Sequence, residues 1–133
     1  MPLKKIKNGQ TLLEAIFAIG VIALVLVTLT AVIIQSIANN KLSTENSQAA
    51  KLASEAIEKI RSRRDQIGWE QFSIDFPNGY SSTTLYPALA PFTRLIAITD
   101  ETADKKRINI TITWSNNNKA HQVTASSYLT KWQ

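Results

Sequence analysis

A single carboxylate, Glu14, stands directly before twenty residues, Ala15 to Ile34, that carry no charge. A carboxylate at the mouth of such a run is costly unless a cation is brought to it, so its natural chemistry is ion pairing. The plainer role open to Glu14 is to favour a helix N-terminus through the helix dipole. Elsewhere chemistry-bearing residues are sparse. His121 is the only histidine, falls in a predicted turn region, and has no cysteine to share a metal with. No Ser-His-Asp spacing, phosphate-cradling glycine loop or paired-carboxylate motif occurs, and the four glycines do not cluster. No enzyme activity, cofactor or metal site is therefore expected.

Two basic clusters remain. Lys59, Arg61, Arg63 and Arg64 sit at a predicted helix end, with Trp69 close enough in sequence to stack on a base. The acids Glu55, Glu58 and Asp65 interleave with them, and solvation of an exposed helix end is the simpler account. Lys105, Lys106 and Arg107 read as a solubilising hairpin tip. Asn109-Ile110-Thr111 has the form of a glycosylation sequon but falls within a predicted strand.

The elements that position Glu14 follow from hydropathy. Twenty residues at a helical rise span roughly 30 Å, the thickness of a bilayer's hydrocarbon core. Thirteen large apolar side chains contribute roughly −6 kcal/mol to insertion, against about 3 kcal/mol for one Glu at the helix centre and less at its edge. The segment is predicted to insert despite Glu14. Lys4, Lys5 and Lys7 precede it, which places the N-terminus on the cytoplasmic side and the bulk of the chain outside. A cleavable secretory signal would have a shorter apolar core, although Ser36-Ile37-Ala38 has the form of a cleavage site. A plain signal anchor accounts for the lysines and the run but not for Glu14.

Beyond the run, no Pro or Gly occurs from Val21 to Ile67. Leu42, Ala49, Leu52, Ala53, Ala56, Ile57 and Ile60 recur at steps of three, four and seven, an amphipathic helical stripe. Glu55–Lys59 and Glu58–Arg61 are spaced to support a helix, and Gly68 is the predicted stop. The spacing predicts one helix through both halves, with possible loosening at Asn39-Asn40. From Glu70 to Phe92 the pattern is irregular, with turns at Pro77-Asn78-Gly79 and Pro87 and a short strand expected over Phe72, Ile74 and Phe76. Arg94 to Thr99 and Ile108 to Trp114 read as strands, the second a clean alternation. An asparagine turn over residues 116–118 leads to a third strand, Val123 to Leu129. The expected fold class is α+β: a long N-terminal helix packed against a small antiparallel β-sheet meander, with Ile57 and Ile60 facing Ile110, Ile112 or Trp114.

Gly9-Gln10-Thr11-Leu12-Leu13-Glu14, after lysines and before the apolar run, resembles the cleavage and methylation motif of type IV prepilins. The resemblance covers about the first quarter of the chain. It implies that a prepilin peptidase cuts between Gly9 and Gln10, that the new amine of Gln10 is N-methylated, and that Glu14 draws the subunit into a filament by pairing with a neighbour's amine. The segment from Ala49 to Asp65, closing on Trp69, is similar to a stretch of minor pilin-like proteins. On this reading residues 1–9 are a basic leader, 10–34 the transmembrane and assembly half of the helix, 35–67 its amphipathic half, and 68–133 the αβ loop and sheet head. The chain departs from major subunits in beginning its mature form with Gln10 rather than Phe, and in having no Pro in the apolar helix, whose only weak point is then Gly20.

The implied function is that of a minor pilin or pseudopilin, a structural subunit of a type IV pilus or type II secretion-like filament. Its partners would be the peptidase, other pilin subunits and, before assembly, the lipid of the cytoplasmic membrane. A DNA-binding uptake pilin is the first alternative and a signal-anchored envelope protein of other function the second. The formal charge of +5 falls to +2 without the three leader lysines, too balanced to imply nucleic acid by itself. With no cysteine there is no disulfide to staple a small head, so the head must lean on the helix.

Overall fold

The computed structural model describes residues 8–116 and 118–131, with side chains from Thr11 onward; Lys4, Lys5 and Lys7 lie outside them. The element order is helix α1, Asn8–Asp75, then strands β1, Tyr80–Ser82, β2, Thr93–Thr102, β3, Lys105–Asn116, and β4, Lys119–Thr130. The chain divides into two compact units, 1–42 and 43–133, and each is described by itself.

From Asn8 to Leu42 the first unit is helical, in keeping with a stretch that has no Pro and, after Gly9, no Gly but Gly20. Its apolar side chains from Leu12 to Ile37 are all exposed. It contains the one stretch, among the described residues, long and apolar enough to cross a membrane, with a mean hydropathy of 2.9 and none of it buried.

The second unit is an α+β head. The buried side chains of its helix, Ala49, Ala53, Ala56, Ile57, Ile60 and Arg64, repeat at three and four residues and form one stripe. That stripe packs against a four-stranded antiparallel meander of order β1-β2-β3-β4. On β3, Lys106, Ile108, Ile110, Ile112 and Trp114 alternate inward. In register with them, β2 contributes Arg94, Ile96 and Ile98. The three alanines keep the helix surface low, which gives the isoleucine rows of β2 and β3 room to pack against it. The β3–β4 turn has Asn118 at φ 59, the left-handed geometry expected of an asparagine hairpin.

Four expectations are corrected. Phe72, Ile74 and Phe76 do not form a strand. Gly68 breaks the helix at φ 77 and ψ 163, and helical geometry resumes from Trp69 to Asp75. Phe72 and Phe76 are then one helical turn apart, both buried, with ring centroids 4.7 Å apart, while Ile74 is exposed. The sheet has four strands, because Gly79 at φ 78 turns the chain into the short β1, bonded to β2 over Tyr80–Ile98 to Ser82–Ile96. Lys105, Lys106 and Arg107 belong to β3, and the hairpin tip lies at Ala103-Asp104. His121 is in β4 rather than in a turn, half-buried and stacked on Trp114 with centroids 5.6 Å apart. The helical assignment passes through Asn39-Asn40 without interruption.

Candidate functional site

Glu14 lies in the second turn of α1, exposed, and makes no ion pair with any described residue. Gly9 and Gln10 fall within the helical assignment, and the Gln10 side chain lies outside what is described. The run that follows Glu14 is prepared for an apolar surrounding down to its hydroxyls. Its only polar side chains, Thr28 and Thr30, return hydrogen bonds to their own helix. Thr28 Oγ1 donates to the Val25 and Leu24 carbonyls at 2.9 and 3.1 Å, and Thr30 Oγ1 to the Leu26 carbonyl at 2.8 Å. Such back-bonding removes the penalty of an unpaired hydroxyl in hydrocarbon. An uninterrupted apolar surface of this extent is far larger than a water-exposed patch on a soluble monomer. It is compatible with a membrane anchor, and it leaves Glu14 as the charge at the boundary.

The basic cluster at the helix end is consumed by the fold. Lys59 pairs with Glu55 at 2.7 Å, Arg61 with Glu58 at 2.8 Å and Arg64 with Asp65 at 2.7 Å. Arg63 approaches Asp75 at 3.7 Å, a residue that the break at Gly68 carries back toward it. Arg61 also donates to Ser127 Oγ at 2.9 Å, and the nearly buried Arg64 donates to the Thr130 carbonyl at 3.2 Å. Two of the four cations thus fasten β4 to the helix. The hydrogen bond and charge of Lys59 hold the Glu55 carboxyl below its ordinary pKa. Trp69 is half-buried and stacks on Phe72 with centroids 6.3 Å apart, as part of an aromatic series that continues through Phe76 to Tyr80. A shallow cavity of about 540 Å³ bounded by Lys59, Arg63, Asp75 and Tyr86 adjoins this cluster.

Three polar residues hold the head together where no disulfide does. Arg94, 2% exposed, donates from one terminal nitrogen to the Leu52 carbonyl at 2.9 Å and from the other to the Tyr86 carbonyl. Burial pushes its pKa down, opposed by the charge of Glu55. Lys106, 3% exposed, donates to the Phe76 carbonyl at 3.0 Å and pairs with Asp100 at 2.5 Å. It thereby satisfies a carbonyl at the end of the second helical segment, where a cation also complements the dipole. Glu45 accepts from Trp114 Nε1 at 3.0 Å and from Asn116 Nδ2 at 2.9 Å. Sequence reasoning assigned none of these roles. For two of them the signal was present as parity: Lys106 is in phase with Ile108 and Ile110, and Arg94 with Ile96 and Ile98. Glu45 had no such signal.

Set against protein-family models, curated proteins and solved structures, the chain has no match. Among the described residues no group of three or more His, Cys, Asp or Glu is placed to hold a metal. Asn109 and Thr111 of the sequon lie on the outer face of the sheet, where Asn109 accepts from Ser126 at 2.7 Å and Thr111 meets Thr124 at 3.3 Å. Glu14 and the bare helix it heads are the features of the described residues that the fold does not itself use.

Proposed function

We propose that this chain is a filament subunit of the minor pilin or pseudopilin kind, anchored in the cytoplasmic membrane by residues 10–34 and assembled through them. The observation that carries the reading is the pairing of an unburied apolar helix with one exposed carboxylate at its start, Glu14, ahead of a compact α+β head. A carboxylate in that position gains most from a cation delivered when apolar helices pack side by side. The amine that a prepilin peptidase would expose at Gln10 is such a cation, supplied by a neighbouring copy. The head needs no enzyme chemistry for this role. The patch at Lys59 to Arg64, already paired with acids and with β4, supports no second reading as a DNA surface.

The test is the N-terminus of the exported protein. Mass spectrometry is expected to find a chain beginning at a methylated Gln10, and a Gly9→Trp precursor is expected to stay uncut in the membrane. A chain beginning at Asn39, or an uncut chain in the assembled fraction, would overturn the proposal.

A further inference from the structure

The two edges of the sheet are unlike. One edge is β1, three residues long, entered through Pro77 and Gly79 and left through an irregular loop. Short strands and prolines are the ordinary ways of blunting an edge. The other edge is β4, which pairs with β3 without a bulge from Lys119–Asn116 to Thr130–Lys105. No strand of the described chain lies on its far side. From Gln122 to Thr130 it holds no Pro, no Gly and no charge, so none of the usual protections is present. The core also thins toward it. Ile96 and Ile98 on β2, and Ile108, Ile110 and Ile112 on β3, are fully buried, whereas on the inner side of β4 only Leu129 is, and Val123, Ala125 and Ser127 are half-buried.

We propose that β4 is a strand-pairing surface whose partner is β4 of a second copy of this chain, antiparallel and centred on Ser126. The neutral segment is complementary to itself in that register. Val123 faces Leu129 on the inner side, Thr124 faces Tyr128 on the outer side, and Gln122 faces Thr130, each pair formed twice. Branched–branched and aromatic–threonine neighbours of this kind favour cross-strand pairing. No two lysines meet, because Lys131 falls opposite His121. Arg61 and Arg64, the two cations that reach β4 from the helix, are already paired with Glu58 at 2.8 Å and Asp65 at 2.7 Å. A fifth strand would cover the half-buried inner residues and satisfy the edge amides. A two-fold contact closes on itself, so it yields a dimer and not a fibre. The inference rests on the sheet alone and stands or falls independently of the proposed function; if both hold, the dimer is a state of the membrane-held pool that assembly must open.

The absence of cysteine makes the register directly readable. Full-length Ser126→Cys in detergent micelles, oxidised with copper phenanthroline, is expected to run mostly as a covalent dimer, since opposed Cα atoms of antiparallel strands lie within disulfide reach. Thr124→Cys alone and Thr113→Cys on β3 are expected to stay monomeric, while a mixture of Thr124→Cys with Tyr128→Cys gives the mixed dimer. Ala125→Lys, an inward-pointing edge charge, is expected to raise the dimer dissociation constant roughly tenfold or more. Should Ser126→Cys lose its cooperative melt, the mixed pair reads the same register. Monomers at every position, or equal cross-linking at Thr113→Cys, would overturn the proposal.

Discussion

The Arg94 guanidinium reaches the main-chain carbonyl of Leu52 at 2.9 Å, a bond from β2 to the helix by a residue that has no carboxylate in ion-pair contact among the described residues. Its other arm holds the Tyr86 carbonyl, in a residue at φ 51, where an L residue is strained. One side chain therefore fixes the helix, the strand and a strained loop. Arg94→Ala is expected to cost about 2–4 kcal/mol, because packing is lost and a carbonyl is stranded. Arg94→Met, which keeps the volume and removes a buried charge, is expected to cost less. Hydrogen exchange should still show residues 83–92 loosened in both variants, which separates the loss of the bond from the loss of volume.

The covering face of the helix is tested by two isoleucines of opposite exposure. Ile60→Ala, at a fully buried position, is expected to cost about 2–4 kcal/mol in thermal or denaturant unfolding. Ile74→Ala, at a position 72% exposed, is expected to stay within about 0.5 kcal/mol of the parent. Equal effects would mean that the second helical segment packs on its other side.

For Glu14 the expected outcome is a separation of insertion from assembly. Glu14→Ala removes a penalty of at most about 3 kcal/mol, so membrane insertion is kept or improved. Incorporation into sheared filaments is expected to be lost, with Glu14→Asp intermediate because its reach is shorter. Undiminished incorporation of Glu14→Ala would remove the carboxylate from the assembly role.

Because its basic helix end is already engaged, the full-length protein in detergent is expected to bind duplex DNA only in the non-specific range of about 10⁻⁴ to 10⁻⁶ M at physiological salt. Fluorescence anisotropy checks this. Tighter binding with a steep salt slope, abolished by Arg61→Ala with Arg63→Ala, would restore the DNA-uptake reading.

What was legible in the sequence was periodicity. The three- and four-residue stripe from Ala49 to Ile60 and the two-residue alternation from Ile108 to Trp114 each have one geometric solution, and the structure has both. The segment around Phe72 was not legible, because three apolar residues at alternate positions also contain an i, i+4 helical pair. Phe72 and Phe76 use that pair and Ile74 is left outside. The start of β3 was not legible for another reason. Strand length is set by the backbone ladder, and in sequence a lysine in phase with the core is indistinguishable from one at a solvated tip. Lys106 is tolerated inside because the Phe76 carbonyl and Asp100 are waiting for it, partners distant enough in sequence to leave no pattern. The candidate site was legible as a charge beside an apolar run; the clasps formed by Arg94 and Glu45 were not, since each spans the fold.

Gly68 carries a consequence about handedness. At φ 77 and ψ 163 it occupies a region essentially closed to L residues, asparagine included. Yet a β-carbon built there would meet nothing within 4 Å. Room is plentiful; only chirality forbids a side chain. The direction in which the polypeptide leaves its main helix, and so the burial of Phe72 and Phe76, depends on the one amino acid that is identical to its own mirror image.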